Sequence, residues 1–248
     1  LLSISKTFIA CIIVMVLEKI YSKGVDFFQI FMYFLRIIMN APLEILKFPD
    51  SRLRQKGQAV RTVTPELRQF AKDLLETMYK EKGVGLAAVQ VNKPIRLFVA
   101  DTKRPSDRYD AEDLENSLEN SLENSLENSL ENSLERVIEQ PLVFFNPEIT
   151  YREGQVIFPE GCLSFPSYFA DVQRSGIIEV KALDIDGKSF TLKTDGLLAV
   201  CVQHEIDHLD GKLFIDHLSP AKAESLRSKI KKYGYPAPDQ NITERSAL

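Results

Sequence analysis

The sequence predicts an α+β domain: antiparallel strands wrapped around one buried central helix that carries metal ligands, with a further helix at the C-terminal end. Three observations predict it. Gly196 to His208 runs without proline or a turn cluster and is apolar up to Val202, the pattern of a buried helix. Ile177 to Leu183 and Phe190 to Lys193 alternate apolar with polar residues and are joined through Asp184-Ile185-Asp186-Gly187, which reads as a hairpin. The 248 residues, 44% of them hydrophobic, are enough for one sizeable core.

Taken in order, residues 1–38 come first. They hold an apolar run from Thr7 to Leu17 and an aromatic-rich stretch from Val25 to Met39, broken by Asp26, Gln29 and Arg36. Neither reaches the roughly 18 apolar residues of a membrane span, and no small-residue cleavage site follows the first. We read residues 1–38 as an upstream extension that is not made, with an organelle leader or membrane anchor as the competing reading. Membrane contact is expected only if that segment is real. The folded domain is expected over residues 39–234, followed by a polar tail over 235–248.

Thr64-Pro65-Glu66 has the cap, first-turn proline and early acid of a helix start, and the helix should run to about Lys80. Gly83-Val84-Gly85-Leu86-Ala87-Ala88-Val89-Gln90 follows. Its two glycines and two alanines let backbone approach a ligand closely, and it ends on an amide side chain. Arg96 to Ala100 and Leu142 to Phe145 read as strands. Between them Leu114-Glu115-Asn116-Ser117 recurs in five copies through Ser133 and begins again at Leu134-Glu135. A period of four overshoots the helical turn by about 40° per copy, so the leucines spiral instead of forming one face. Glutamates four apart repel, and Asn and Ser favour helix poorly. Residues 112–135 are therefore expected to be a solvated insertion.

Glu160-Gly161-Cys162-Leu163-Ser164 then offers a soft thiolate donor in a glycine-containing turn. The last helix, from about Ala221 to Tyr233, carries Lys222, Arg227, Lys229, Lys231 and Lys232 against Glu224, with Ala221, Leu226 and Ile230 spaced to pack back on the domain. That basic face reads first as solvated surface, with salt-sensitive contact to nucleic-acid phosphates as the functional alternative.

The chemistry concentrates at His204-Glu205-Ile206-Asp207-His208. Two imidazoles four residues apart on a helix project from one face and can grip one metal ion, while Glu205 lies beside the ion as a proton carrier. The third ligand stays open at this point. A histidine six residues further on is excluded, since Phe214 stands there. Glu224 is a downstream carboxylate of the kind a zincin-type metallopeptidase uses, and Cys162 is the thiolate alternative. Cys201, three residues before His204, shares its side of the helix and is read as pocket wall in preference to a rival ligand. Leu197 and Val200 fall on that side as well. With Phe158, Val84 and Leu163 they would line an apolar slot for a flexible thioether side chain.

Composition sets bounds. Cys11, Cys162 and Cys201 stand in separate contexts and build no disulfide framework, and a thiolate ligand points to a reducing compartment. Asn241-Ile242-Thr243 matches a glycosylation pattern that means nothing without secretion. Without the eight acids of residues 112–135 the formal charge of −4 becomes +4. No field large enough to hold DNA covers the whole domain.

Read together, the three motif segments resemble the polypeptide deformylase family, whose signatures Gly-x-Gly-x-Ala-Ala-x-Gln, Glu-Gly-Cys-Leu-Ser and His-Glu-x-Asp-His stand here in that order without a substitution. The likeness extends from about Ala41 to about Tyr233, through Ile45-Leu46-Lys47-Phe48-Pro49-Asp50 and Leu213-Phe214-Ile215-Asp216. The resemblance implies the same α+β fold. It implies one divalent metal ion held by Cys162, His204 and His208, commonly Fe2+, with Zn2+, Ni2+ or Co2+ able to substitute. It also implies hydrolysis of the formyl group from N-formylmethionyl nascent peptides in the cytoplasm. Gln90 and the Leu163 N–H would hold the developing oxyanion, Glu205 would protonate the departing amine, and Val84, Gly85, Phe158, Gly161, Leu197, Val200 and Cys201 would line the substrate site.

Overall fold

The structure, a computed structural model, describes residues 42–103 and 133–235. The readings of residues 1–38, of residues 112–132 and of Asn241-Ile242-Thr243 lie outside the described residues. In chain order the elements are α1 (Pro65–Lys80), β1 (Gly85–Ala87), β2 (Leu97–Ala100), β3 (Leu142–Glu153), β4 (Val156–Cys162), β5 (Phe165–Arg174), β6 (Ile177–Leu183), β7 (Ser189–Thr194), α2 (Gly196–Leu209) and α3 (Pro220–Tyr233). Five strands pair antiparallel in the order β1-β2-β3-β6-β7, and β4 and β5 form a separate hairpin.

The β2 run Leu97-Phe98-Val99-Ala100 is apolar at every position because both of its faces are covered. Phe98 and Ala100 point to one core, together with Phe144, Ile178 and Val180 and with Leu198, Ala199 and Val202 of α2. Leu97 and Val99 point to the opposite core, with Val143 and Phe145 and with Ala71, Leu74 and Met78 of α1. Period-two alternation thus splits one apolar strand between two helices. A third core lies under the β4–β5 hairpin, where Phe165, Ala170 and Val172 meet Phe214, Leu226 and Ile230.

Thr64 caps α1 by accepting a hydrogen bond from Leu67 N, as its sequence predicts. The strand expected to end at Phe145 continues to Glu153. Asn146-Pro147 reads as a breaker, yet the sheet takes it up as an irregularity between Phe145 and Glu148, with Asn146 at φ +51°. The Asn146 side chain accepts from Val60 N at 2.8 Å and donates to Val60 O at 2.7 Å. Glu160, Gly161 and Cys162 belong to the end of β4, so the turn proper is Leu163-Ser164.

In α3 the buried residues are Ala223, Leu226 and Ile230. Ala221, expected on that face, is exposed. It lies two residues, about 200°, away from Ala223 around the helix. Among the described residues no helix is long and apolar enough to cross a membrane.

The end of the repeat departs from the solvated expectation. Leu134–Val137 form a short 3-10 helix. Asp195, at the N-cap of α2, accepts from Ser133 Oγ at 2.5 Å, Leu134 N at 3.0 Å and Glu135 N at 3.1 Å. Glu135 in turn accepts from Leu198 N at 3.1 Å and bonds to Thr102 Oγ1. The first N–H groups of any helix lack intrahelical acceptors and carry its positive end. Asp195 makes no side-chain cap bond to its own helix, and Glu135 supplies an acceptor instead.

Candidate active site

The i, i+4 spacing on α2 sets the His204 and His208 rings 4.9 Å apart, and β4 delivers Cys162 to the same point. One donor atom from each of the three lies within 4.8 Å of the others, and His208 Nε2 is 3.2 Å from Cys162 Sγ. Both histidines are buried.

His204 Nδ1 faces Glu160 Oε2 at 2.8 Å, which leaves Nε2 for the cluster. Glu160 is gripped bidentately by Arg174, at 2.5 Å to Nε and 2.9 Å to Nη2. Arg174 Nη1 continues to Asp207 at 2.5 Å, and His217 Nε2 lies 2.7 Å from the same Asp207 oxygen. Burial pushes the Glu160 carboxyl up, but the Arg174 and His204 contacts outweigh it and hold the group below the usual carboxylate range. Burial likewise raises Asp207, yet His217 and Arg174 hold it down at about 2.

Burial disfavours charge on His204, but Cys162 and then Glu160 raise its pKa well above the ordinary value. His208 moves the other way, because burial and then the neighbouring His204 charge both oppose protonation. One sulfur and two nitrogens in reach of one another form a donor set for a borderline-soft divalent metal. The residues present fit it.

Glu205 is buried, and its Oε2 has no hydrogen-bond partner among the protein atoms. Burial lifts its carboxyl to about 7, with His204 lowering it and Glu160 raising it. Gly85 makes room for it, since a Cβ there would lie 2.5 Å from Glu205 Oε1 and 2.7 Å from Cys201 Sγ. Ala87 N donates to Gln90 Oε1 at 2.8 Å, which fixes the amide so that Nε2 points to Ser164 Oγ at 3.1 Å and Cys162 Sγ at 3.5 Å.

The remaining predicted residues divide as follows. Leu163 closes over the glycine segment, where a Cβ on Gly83 would meet its Cδ1 at 2.7 Å. Cys201 Sγ lies 3.6 Å from Val84 O and packs into the core with Leu198 and Val202. Val200 is buried and Leu197 half-buried on the His204 side of α2. Phe158 is half-buried and shares the side of β4 that carries Glu160 and Cys162, while Gly161 points oppositely, under the Phe169 ring. Val84 stands just before β1 and packs on the core that holds Cys201.

Glu224, the alternative third ligand, is exposed on α3 and bonds to Ser228 and Arg227. Among the described residues the donor group contains Cys162 and not Glu224, so the downstream-carboxylate reading is corrected. Sequence reasoning missed the supports: Glu160 for His204, Arg174 and His217 on Asp207, and Ser164 for Gln90. The only signal for them was that a ligating histidine needs an acceptor on its second nitrogen.

The polypeptide deformylase family model matches residues 42–224. The chain is 41% identical over 192 residues to a peptide deformylase of Tolumonas auensis, covering 77% of this chain and 96% of the relative. It is 44% identical over 193 residues to one from Cellvibrio japonicus, covering 77% and 95%. Among solved structures it is similar to a peptide deformylase from Legionella pneumophila, with a TM-score of 0.61 and 37% identity over 78% of this chain and 95% of that one. It also matches one from Synechococcus elongatus in complex with actinonin, with a TM-score of 0.60 and 34% identity over 79% and 88%.

Proposed function

The chain belongs to the polypeptide deformylase family, and we propose that it removes the N-formyl group from nascent peptides with the cluster around Cys162, His204 and His208. The observation that carries the residue assignment is the convergence of those three donors beside a buried carboxylate, Glu205, with one oxygen unpartnered. A divalent metal held by the three would supply Lewis acidity and an activated water for attack on the formyl carbon.

The chain's own groups do the rest. Glu160 holds His204 in one tautomer and orientation through Nδ1. Gln90 Nε2, aimed at the cluster, and the Leu163 N–H donate to the charge that builds on the formyl oxygen, each worth roughly 3 kcal/mol in such sites. Glu205, with a carboxyl lifted to about 7, carries a proton near neutral pH and delivers it to the departing amine nitrogen. Leu197, Val200, Cys201, Phe158 and Val84 form the apolar slot for the methionine side chain, and Gly85 and Gly161 keep backbone close to the peptide. The products are formate and a peptide with a free N-terminal methionine.

Formate release from formyl-Met peptides by anaerobically purified protein tests the activity, and Glu205→Gln tests the role. The variant should keep its metal while turnover falls at least about 100-fold. Near-parental turnover would remove Glu205 from the reaction.

Three finer assignments belong to the same reading. The resident metal is Fe2+, as the family resemblance implies for a donor set that also accepts Zn2+, Ni2+ or Co2+, so that activity decays in air and nickel substitution removes the decay. The enzyme works in the cytoplasm on chains emerging from ribosomes. The α3 face of Lys222, Arg227, Lys231 and Lys232 is exposed and contacts ribosomal RNA. Arg227, Lys231 and Lys232 changed together to Glu should weaken low-salt co-sedimentation with ribosomes and leave turnover of free peptides intact.

A further inference from the structure

Ser164 spends every polar atom it has on the cluster and its surroundings. Its N–H points at Cys162 Sγ at 3.4 Å, its Oγ accepts from Gln90 Nε2 at 3.1 Å, and its carbonyl accepts from Phe48 N at 2.9 Å. A residue from the far end of the domain reaches the same spot. After α3 the chain reverses at Gly234, whose φ of +68° favours glycine, and Tyr235 folds back. Its hydroxyl donates to Phe48 O at 2.7 Å and lies 3.4 Å from Ser164 O.

The Tyr235 ring is half-buried against the third core and meets Tyr168 edge-on, with centroids 5.9 Å apart. Phe48 leads to the second metal-ligating element. Its ring stacks on Phe165 at 4.9 Å, Phe165 meets Phe214 edge-on at 4.9 Å, and Phe214 stacks on His204 at 6.4 Å. The peptide group of Phe48 is therefore tied to the Cys162 turn by its N–H, and its ring is packed toward a histidine ligand. Tyr235 fastens its carbonyl.

Resting on the site assignment above, we propose that Tyr235 is a positioning residue for the metal centre: its hydroxyl braces Phe48 and the Ser164 turn, and so holds Cys162 and Gln90 at their working distances. Residues 235–248 read as a polar tail in the sequence, and the first of them is built into the catalytic domain. Burial keeps the Tyr235 phenol protonated well above the ordinary tyrosine range, so it stays a donor throughout the working pH.

The test uses the full chain loaded with Co2+, whose thiolate absorption reports Cys162 ligation directly. Tyr235→Phe keeps the ring and removes the donor. A chelator should strip its cobalt roughly five- to tenfold faster than from the parent, the equivalent of one neutral hydrogen bond. kcat should fall with KM within about twofold. Gly234→Ala, which strains the reversal without touching the ring, should accelerate stripping as well. Tyr151→Phe removes a tyrosine hydrogen bond at the far end of β3, to Glu153 Oε2 at 3.0 Å, and should strip at the parental rate. Parental stripping in Tyr235→Phe, or equal acceleration in Tyr151→Phe, overturns the brace. Stoichiometric cobalt in Cys162→Ser would instead overturn the ligand assignment on which it stands.

Discussion

Gly85→Ala is the smallest change that reaches the proposed chemistry. The added methyl would sit 2.5 Å from Glu205 Oε1 and 2.7 Å from Cys201 Sγ, both inside van der Waals contact by the better part of an ångström. Gly85 lies in β1, paired with Ala100, so the strand cannot retreat without giving up ladder bonds. The Glu205 carboxylate must move instead. A misplacement of about 1 Å at a reacting group costs on the order of 100-fold in rate, or about 2.7 kcal/mol of transition-state stabilisation. Overpacking a close-packed site adds about 1–3 kcal/mol of destabilisation.

The expected result is therefore a kcat down about 100-fold, full metal content and a lowered Tm. Because the clash has two parts, Gly85→Ala with Cys201→Ala should recover much of the Tm and little of the kcat. Steady-state formate release, metal analysis and thermal melts on the parent, both single variants and the double variant measure this. Gly85→Ala within about threefold of parental kcat, or a double variant that regains full turnover, would show that Gly85 does not set the place of Glu205.

The other predictions concern separate parts of the molecule. Cys162→Ser should lose stoichiometric metal binding while Cys201→Ser and Glu224→Gln keep it, read by metal analysis after gel filtration; intact metal in the Cys162 variant would break the assigned ligand set. The Asp207 carboxyl is held at about 2 against an ordinary 3.8, so its ion pairs add roughly 2 kcal/mol. That contribution is complete above about pH 4 and is lost as pH falls toward 2. The stability gap between metal-free parent and Asp207→Asn should therefore narrow on acidification, and a gap independent of pH would contradict it. Glu135→Ala removes the acceptor for Leu198 N and should cost about 1 kcal/mol in urea unfolding. Replacing residues 113–132 with a Gly/Ser linker keeps that contact and should leave the midpoint unchanged.

Much of the fold was legible because local signals and tertiary structure agree. Thr64-Pro65-Glu66 starts a helix through groups adjacent in sequence, and the Ile177 to Lys193 alternation needs only its own turn to pair. Breakers were harder. Asn146-Pro147 ends a strand on local grounds, and only Val60, 86 residues away, satisfies the Asn146 side chain and carries β3 through. The repeat was read as solvated to Glu135 because its period builds no face, which holds no information about Asp195 and Leu198 waiting at a helix terminus.

By itself the sequence determined the candidate donor types and the candidate proton carrier, since two histidines and a glutamate within five consecutive residues acquire their geometry from the helix alone. It determined Cys162 as a candidate through a motif and left Glu224 in contention. Tertiary structure favours Cys162 by bringing its donor atom within 4.8 Å of those of the histidines and leaving Glu224 exposed on α3. Only tertiary structure could assign Glu160 to His204, Arg174 to Glu160 and Asp207, and Tyr235 to Phe48. The last pair is separated by 187 residues. Local periodicity encodes which face a residue takes, whereas a side-chain hydrogen bond between distant segments depends on how whole elements pack, and no spacing in the chain records that.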